Sequence, residues 1–171
     1  MKNIFLIISL LLLISCSQQL IIKNSIYSME YSSNWTIIPD HPSNVLDALI
    51  SNDGSVLINV KQLPVDNPIT QEELNQVYEN PEFIDEIKMD KNIADITIYD
   101  YTLTNTKIKM MQYIETVNIE GKDMQLFTNT YYILTPKETK LIMINYLTYT
   151  QEDFYKYSSE AKTIIDSFKW T

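Results

Sequence analysis

The sequence predicts an α+β fold: an antiparallel β-sheet flanked by helices, with a C-terminal amphipathic helix on the sheet. Three observations carry this. Apolar and polar residues alternate through most of the chain, which is the period of β-strands. The chain has only two glycines, Gly54 and Gly121, and each sits in a short polar break between two alternating stretches, the place of a hairpin turn. The last twenty or so residues change to a helical period with one apolar stripe.

The elements follow in order. A short strand is expected at 26–31, where Tyr27, Met29 and Tyr31 share a face, and another at 35–38 after the polar break Ser32-Ser33-Asn34. Strands 46–50 and 56–62 flank Asn52-Asp53-Gly54-Ser55, and Val56, Ile58 and Val60 fall on one side. Thr70-Gln71-Glu72-Glu73 is a capping box ahead of Leu74, Val77 and Tyr78 at helical spacing. Asn80-Pro81 ends that helix, and Pro81 starts a second one carrying Phe83, Ile84 and Ile87. Strands return at 93–103, 107–119 and 122–135, the last two joined at Glu120-Gly121. Within 107–119 the apolar phase moves from Ile108 and Met110 to Met111, Tyr113, Val117 and Ile119, which reads as a β-bulge near Met110-Met111. Residues 141–147 are apolar on both faces except Asn145, the pattern of a central strand covered on both sides. Thr150 and Asp153 cap the final helix, whose Phe154, Tyr157, Ala161, Ile164, Ile165 and Phe168 fall within about 100° on a 3.6-residue wheel. No linker, repeat or low-complexity run divides the chain, so one domain is expected.

The N-terminus carries an address. Residues 1–16 read MKNIFLIISLLLLISC: a cation at Lys2, an apolar run over 4–14, then a small residue before the single cysteine. That is the pattern of a secretory signal. As a helix the run rises about 16 Å, roughly half of what a spanning helix must cross. Leu13-Ile14-Ser15-Cys16 resembles the lipobox of bacterial lipoprotein precursors. The resemblance implies cleavage before Cys16 and a diacylglyceryl group on its sulfur. It divides the chain into a signal peptide at 1–15, a lipidated N-terminus and short tether at 16–25, and a single domain at 26–171. Ser17, in place of Asp, implies the outer membrane where a cell has two membranes. Loss of 1–15 leaves 12 lysines against 22 acids, a formal charge of −10. Such a surface is repelled by nucleic acid and by anionic lipid headgroups, so the lipid rather than the protein face is expected to hold the protein to the membrane.

Tyr27-Ser28-Met29-Glu30-Tyr31 leading to Asn34-Trp35, and Ile164-Ile165-Asp166-Ser167-Phe168-Lys169 at the end, resemble the opening strand and closing helix of the PsbP/Mog1 family. The chain has Ser32-Ser33-Asn34 where that family prefers Pro and Gly before the Trp. The resemblance spans about 26–170 and implies an α/β/α sandwich that works by docking rather than covalent chemistry. It implies no single function and supplies no partner-binding residues to carry over; together with the lipid anchor, it leaves an unidentified envelope protein as the expected partner, with no cofactor.

A few residues could bear on chemistry. His41 in Pro39-Asp40-His41-Pro42 is the only histidine; beside an acid it could ligate a metal or carry a proton, though its setting is that of a solvated turn. Glu82, Asp85 and Glu86 share a helix face near Asp90 but lack the Gly-punctuated loop of an EF-hand, so a solvated acid face is favoured over a cation site. Asp95 and Asp100 fall on opposite faces by a period of two, a poor acid/base pair. Tyr27, Tyr31, Tyr99, Tyr101, Tyr131, Tyr146 and Tyr149 could form an exposed aromatic patch or, as favoured, core and rim of the sandwich. With no arginine and a lone His and Cys, bidentate phosphate recognition and the usual zinc sites are disfavoured. No catalytic or metal residue is assigned; Cys16 is the one site residue, as the point of lipidation. Besides a binding protein, two other readings stand: a cation-dependent hydrolase using surface carboxylates, and a small-ligand carrier.

Overall fold

A computed structural model describes residues 19–137 and 140–171. The expected signal peptide (1–15) and the expected lipobox with Cys16 lie outside the described residues. Among the described residues, ten strands and three helices follow one another: β1 (Gln19–Lys23), β2 (Tyr27–Ser32), β3 (Trp35–Ile37), β4 (Val45–Ser51), β5 (Val56–Pro64), α1 (Gln71–Glu79), α2 (Pro81–Lys88), β6 (Ile93–Leu103), β7 (Thr106–Ile119), β8 (Lys122–Leu134), β9 (Lys140–Thr148), α3 (Gln151–Asp166) and β10 (Lys169–Trp170). Strands β3 to β9 form one antiparallel sheet in the order β3-β4-β5-β9-β8-β7-β6. The remaining three make a small sheet, β1-β2-β10. The expected α+β class, antiparallel sheet and helical flanks are all present.

Three layers result, because both faces of the large sheet are apolar. On one face, Ile58, Ile133, Ile142, Ile144 and Tyr146 pack against α3 and against the inner side of the small sheet, through Tyr27, Met29, Ile164, Ile165 and Phe168. On the other, Met111, Tyr132 and Leu134 pack against Leu74 and Tyr78 of α1, with Phe83 and Ile87 of α2 beside them. The strand expected to be covered on both sides, β9, is the fourth of the seven.

Two sequence expectations are corrected here. Register runs unbroken through Met110 and Met111, paired with Tyr131 and Thr130, so no bulge lies there. The change of phase has another cause: Ile108 and Met110 belong to the α3 side while Met111 and Tyr113 belong to the α1–α2 side. A strand with two covered faces shows both phases without slipping. The bulge of this hairpin is in β6 instead, where the register shifts between Ala94 and Thr97 and Asp95 takes φ 53°. Residues 16–25, expected as a tether, contribute β1 from residue 19 onward, paired with β2 over Gln19↔Ser32 to Lys23↔Ser28.

The turns and caps follow their chemistry. Gly54 and Gly121 have φ of +75° and +81°, which a side chain would strain. Thr70 and Glu73 form the reciprocal capping box of α1. At α3, the Thr150 hydroxyl accepts from the Asp153 amide at 3.1 Å. It also donates to that carboxylate at 2.6 Å. Asp, one methylene shorter than Glu, meets the hydroxyl here in place of the cap's backbone amide.

Candidate functional site

A run of open clefts follows the C-terminal half of α3. One open cleft of about 520 Å³ lies between β2 and α3, lined by Glu30, Tyr31, Glu160, Thr163, Asp166 and Lys169 among others. A second cleft shares Asp166 and Lys169 with it and reaches Trp170, and a third, at Tyr101, shares Thr102 and Lys162 with the second. Helix α3 positions this groove because its apolar stripe is seated on the sheet, so the polar positions beside the stripe, 160, 163 and 166, form its wall.

The charged groups of the groove are matched to one another. Lys162 Nζ donates to Asp166 Oδ2 at 2.5 Å and to the Tyr101 hydroxyl at 3.0 Å, and it lies 4.9 Å from the centre of the Tyr101 ring. Tyr101 in turn donates to Asp166. Lys169 sits 3.6 Å from Glu30, and the Ser32 hydroxyl donates to Glu160 at 2.6 Å. Ser167 accepts from the Glu30 amide at 2.7 Å, fixing the end of α3 to β2. Burial, and then the Asp166 carboxylate, push the Tyr101 phenol above its ordinary value. That direction keeps the proton on, the opposite of what a phenolate nucleophile or base requires.

Each residue singled out in the sequence can now be placed. Among the described residues the hydrogen-bonding contact of His41 is local, Nδ1 at 3.4 Å from the Pro42 carbonyl. Glu82, Asp85 and Glu86 are exposed along α2 and Asp90 in the turn after it, with Asp85 3.8 Å from Lys88. No group of three or more His, Cys, Asp or Glu able to hold a metal ion occurs among the described residues. Asp40, His41, Asp85, Glu86 and Asp90 line none of the clefts above. The bulge at Asp95 interrupts the period of two on which its comparison with Asp100 rested. Asp100 pairs with Lys109 at 2.6 Å, which holds its carboxyl below the usual range. Lys109 also meets Glu79 at 2.6 Å, tying α1 to the sheet.

The tyrosines are mainly core. Tyr27, Tyr31, Tyr131 and Tyr146 are buried, whereas Tyr99 and Tyr149 are exposed on separate elements. Tyr27 stacks on Phe168 at 4.8 Å and donates to Asp47, joining the small sheet to β4. Sequence reasoning missed the buried polar chain in which Thr130 donates to Asn145 and Asn145 donates to Asn59, both at 2.8 Å. Its one signal was Asn145 in an otherwise apolar run.

With this geometry, the chain superposes on several solved structures. The cyanobacterial PsbP (CyanoP) of Synechocystis sp. PCC 6803 matches with a TM-score of 0.56 at 11% identity, covering 92% of this chain and 95% of that one. The fold is that of PsbP and Mog1. LpqN, involved in cell envelope biogenesis of Mycobacterium tuberculosis, matches at 0.55 and 12% identity over 92% of each chain. The Saccharomyces cerevisiae Ran-binding protein Mog1p matches at 0.55 and 10% identity over 90% of this chain and 95% of that one. No protein-family model and no curated protein sequence matches the chain. The PsbP/Mog1-like likeness is therefore one of shape, which explains why the sequence resemblance was confined to the opening strand and closing helix.

The layer opposite the groove differs in character. Segment 70–91, holding α1 and α2, carries seven acids against Lys88 and Lys91. It also presents Val77, 42% exposed, and Met89, 80% exposed. Apolar side chains among charges are a common composition of a docking surface.

Proposed function

We propose that this protein is a bacterial envelope lipoprotein, held to its membrane by acyl chains on Cys16, that acts by docking a protein partner. The anchor reading rests on Leu13-Ile14-Ser15-Cys16. The docking reading is carried by the α1–α2 layer, where Val77 and Met89 stand exposed among acids. The fold shared with LpqN and with Ran-binding Mog1p supports an envelope setting and a binding role. The partner would present a basic surface with an apolar centre. In a two-membrane cell the outer membrane is the expected location.

Two experiments test this. Metabolic labelling with an alkynyl fatty acid should mark the wild-type protein and not Cys16→Ala; acylated, membrane-bound Cys16→Ala would sink the anchor. A photo-crosslinking residue at position 77, in the native envelope, should give a discrete protein adduct that weakens with salt and with Glu82→Lys/Glu86→Lys. The same adduct from position 149, in the turn between β9 and α3, would argue against the α1–α2 layer.

A further inference from the structure

We propose that the outer face of the small sheet lies on the phospholipid surface, with Ile21 in the headgroup region and Lys23 and Lys169 at the level of the phosphates. This deepens the reading above and rests on lipidation of Cys16. Three residue steps separate Cys16 from Gln19, the first residue of β1. Fully extended, they span at most about 11 Å. Whatever path those residues take, the side of the molecule carrying β1 is held that close to the lipid-bearing residue.

Strand alternation then decides which side chains face it. Ile22 of β1 and Tyr27, Met29 and Tyr31 of β2 point into the core. The register therefore sets Gln19, Ile21 and Lys23 outward, opposite Ser32, Glu30 and Ser28. Lys169 of β10 stands opposite Ser28 from the other side, so two lysines flank one serine across the sheet. Ile21 is 62% exposed in an otherwise polar row, where solvent gives no reason for an aliphatic side chain. A lipid interface does, since it takes an apolar group and its flanking cations together.

Charge points the same way. Segments 19–32 and 151–170, which build this layer, carry five acids against four lysines, while 70–91 on the opposite layer carries seven acids against two. For a strongly acidic protein, this is the layer an anionic headgroup surface repels least. The acid-rich α1–α2 layer is then turned to the aqueous side, where a protein partner is reached.

The test uses the lipidated protein in vesicles of mixed phosphatidylcholine and phosphatidylglycerol that contain a headgroup-linked quencher. Cys16 is the only cysteine and its sulfur would be acylated, so a thiol dye reports solely on an introduced cysteine. A dye on Ser28→Cys should be quenched several-fold more than one on Glu82→Cys. Adding Ile21→Asp should reduce that quenching while the protein still floats with the vesicles and keeps its far-UV spectrum. Equal quenching at 28 and 82 in protein that floats would overturn the orientation and leave the anchor intact. Quenching unchanged by Ile21→Asp would overturn the contact assigned to Ile21. Protein that fails to float would remove the anchor reading and this inference with it.

Discussion

Asn145 shows how a single side chain can determine a strand. It lies in the centre of the large sheet, buried, with its amide donating to Asn59 and its carbonyl accepting from Thr130. Asn145→Ala leaves the Asn59 carbonyl and the Thr130 hydroxyl without these partners, at an expected cost of about 1–3 kcal/mol. Urea titration should show a lower midpoint with an unchanged slope. A double replacement of Asn59 and Asn145 by Leu should cost less than the sum of the two single ones, because no lone amide then remains. Periodicity marks such a residue as an exception and cannot name its partners, since Asn59 lies 86 positions away.

Among the elements, the β6–β7 hairpin departs furthest from ideal local chemistry. Its turn residues Thr104 and Asn105 have φ of 51° and 64°, the left-handed pair that favours Asn-Gly. Thr is β-branched and strained there. Thr104→Asn should stabilise the protein by about 0.5–1 kcal/mol, seen as a higher melting temperature. The hairpin at Glu120-Gly121, with φ of 52° and 81°, was legible in the sequence because it contains a glycine; Thr104-Asn105 gave no such sign. Helix α1 tests the opposite case, in which local signals and structure agree. Thr70→Ala removes the acceptor of the Glu73 amide and the partner of its carboxylate. About 1 kcal/mol should be lost, with hydrogen exchange faster in the first turn of α1.

At the scale of the whole molecule, strand and helix periods were enough to order nearly every element, because each buries one face and repeats regularly. They could not reveal β1, whose Leu20, Ile21 and Ile22 show no alternation, nor separate the small sheet from the large one, which depends on contacts distant in sequence. The groove was illegible for the same reason: Tyr101 and Asp166 meet across 65 positions. The tyrosine surplus, by contrast, has a consequence for the entire fold. Burial is the leading cause that pushes the phenols of Tyr27, Tyr78, Tyr101, Tyr131, Tyr132 and Tyr146 above their ordinary value. A raised folded-state pKa means the native protein holds those protons more tightly, so this stability is complete below about pH 10 and is lost as pH rises beyond it. Alkaline titration should therefore show much of the phenolate absorbance arriving together with loss of the far-UV signal. Phenolate absorbance complete before any unfolding would contradict it. The small sheet has a mechanical consequence as well. A pull transmitted through Gln19 meets the β1–β2 hairpin at its open end, where Gln19 faces Ser32. Its rungs open in succession, as in a zipper, rather than all together in shear, and five residues of strand release about 17 Å. The seven-stranded sheet has no share in that ladder, so with the proposed anchor on Cys16 β1 would work as a fuse between the lipid and the core.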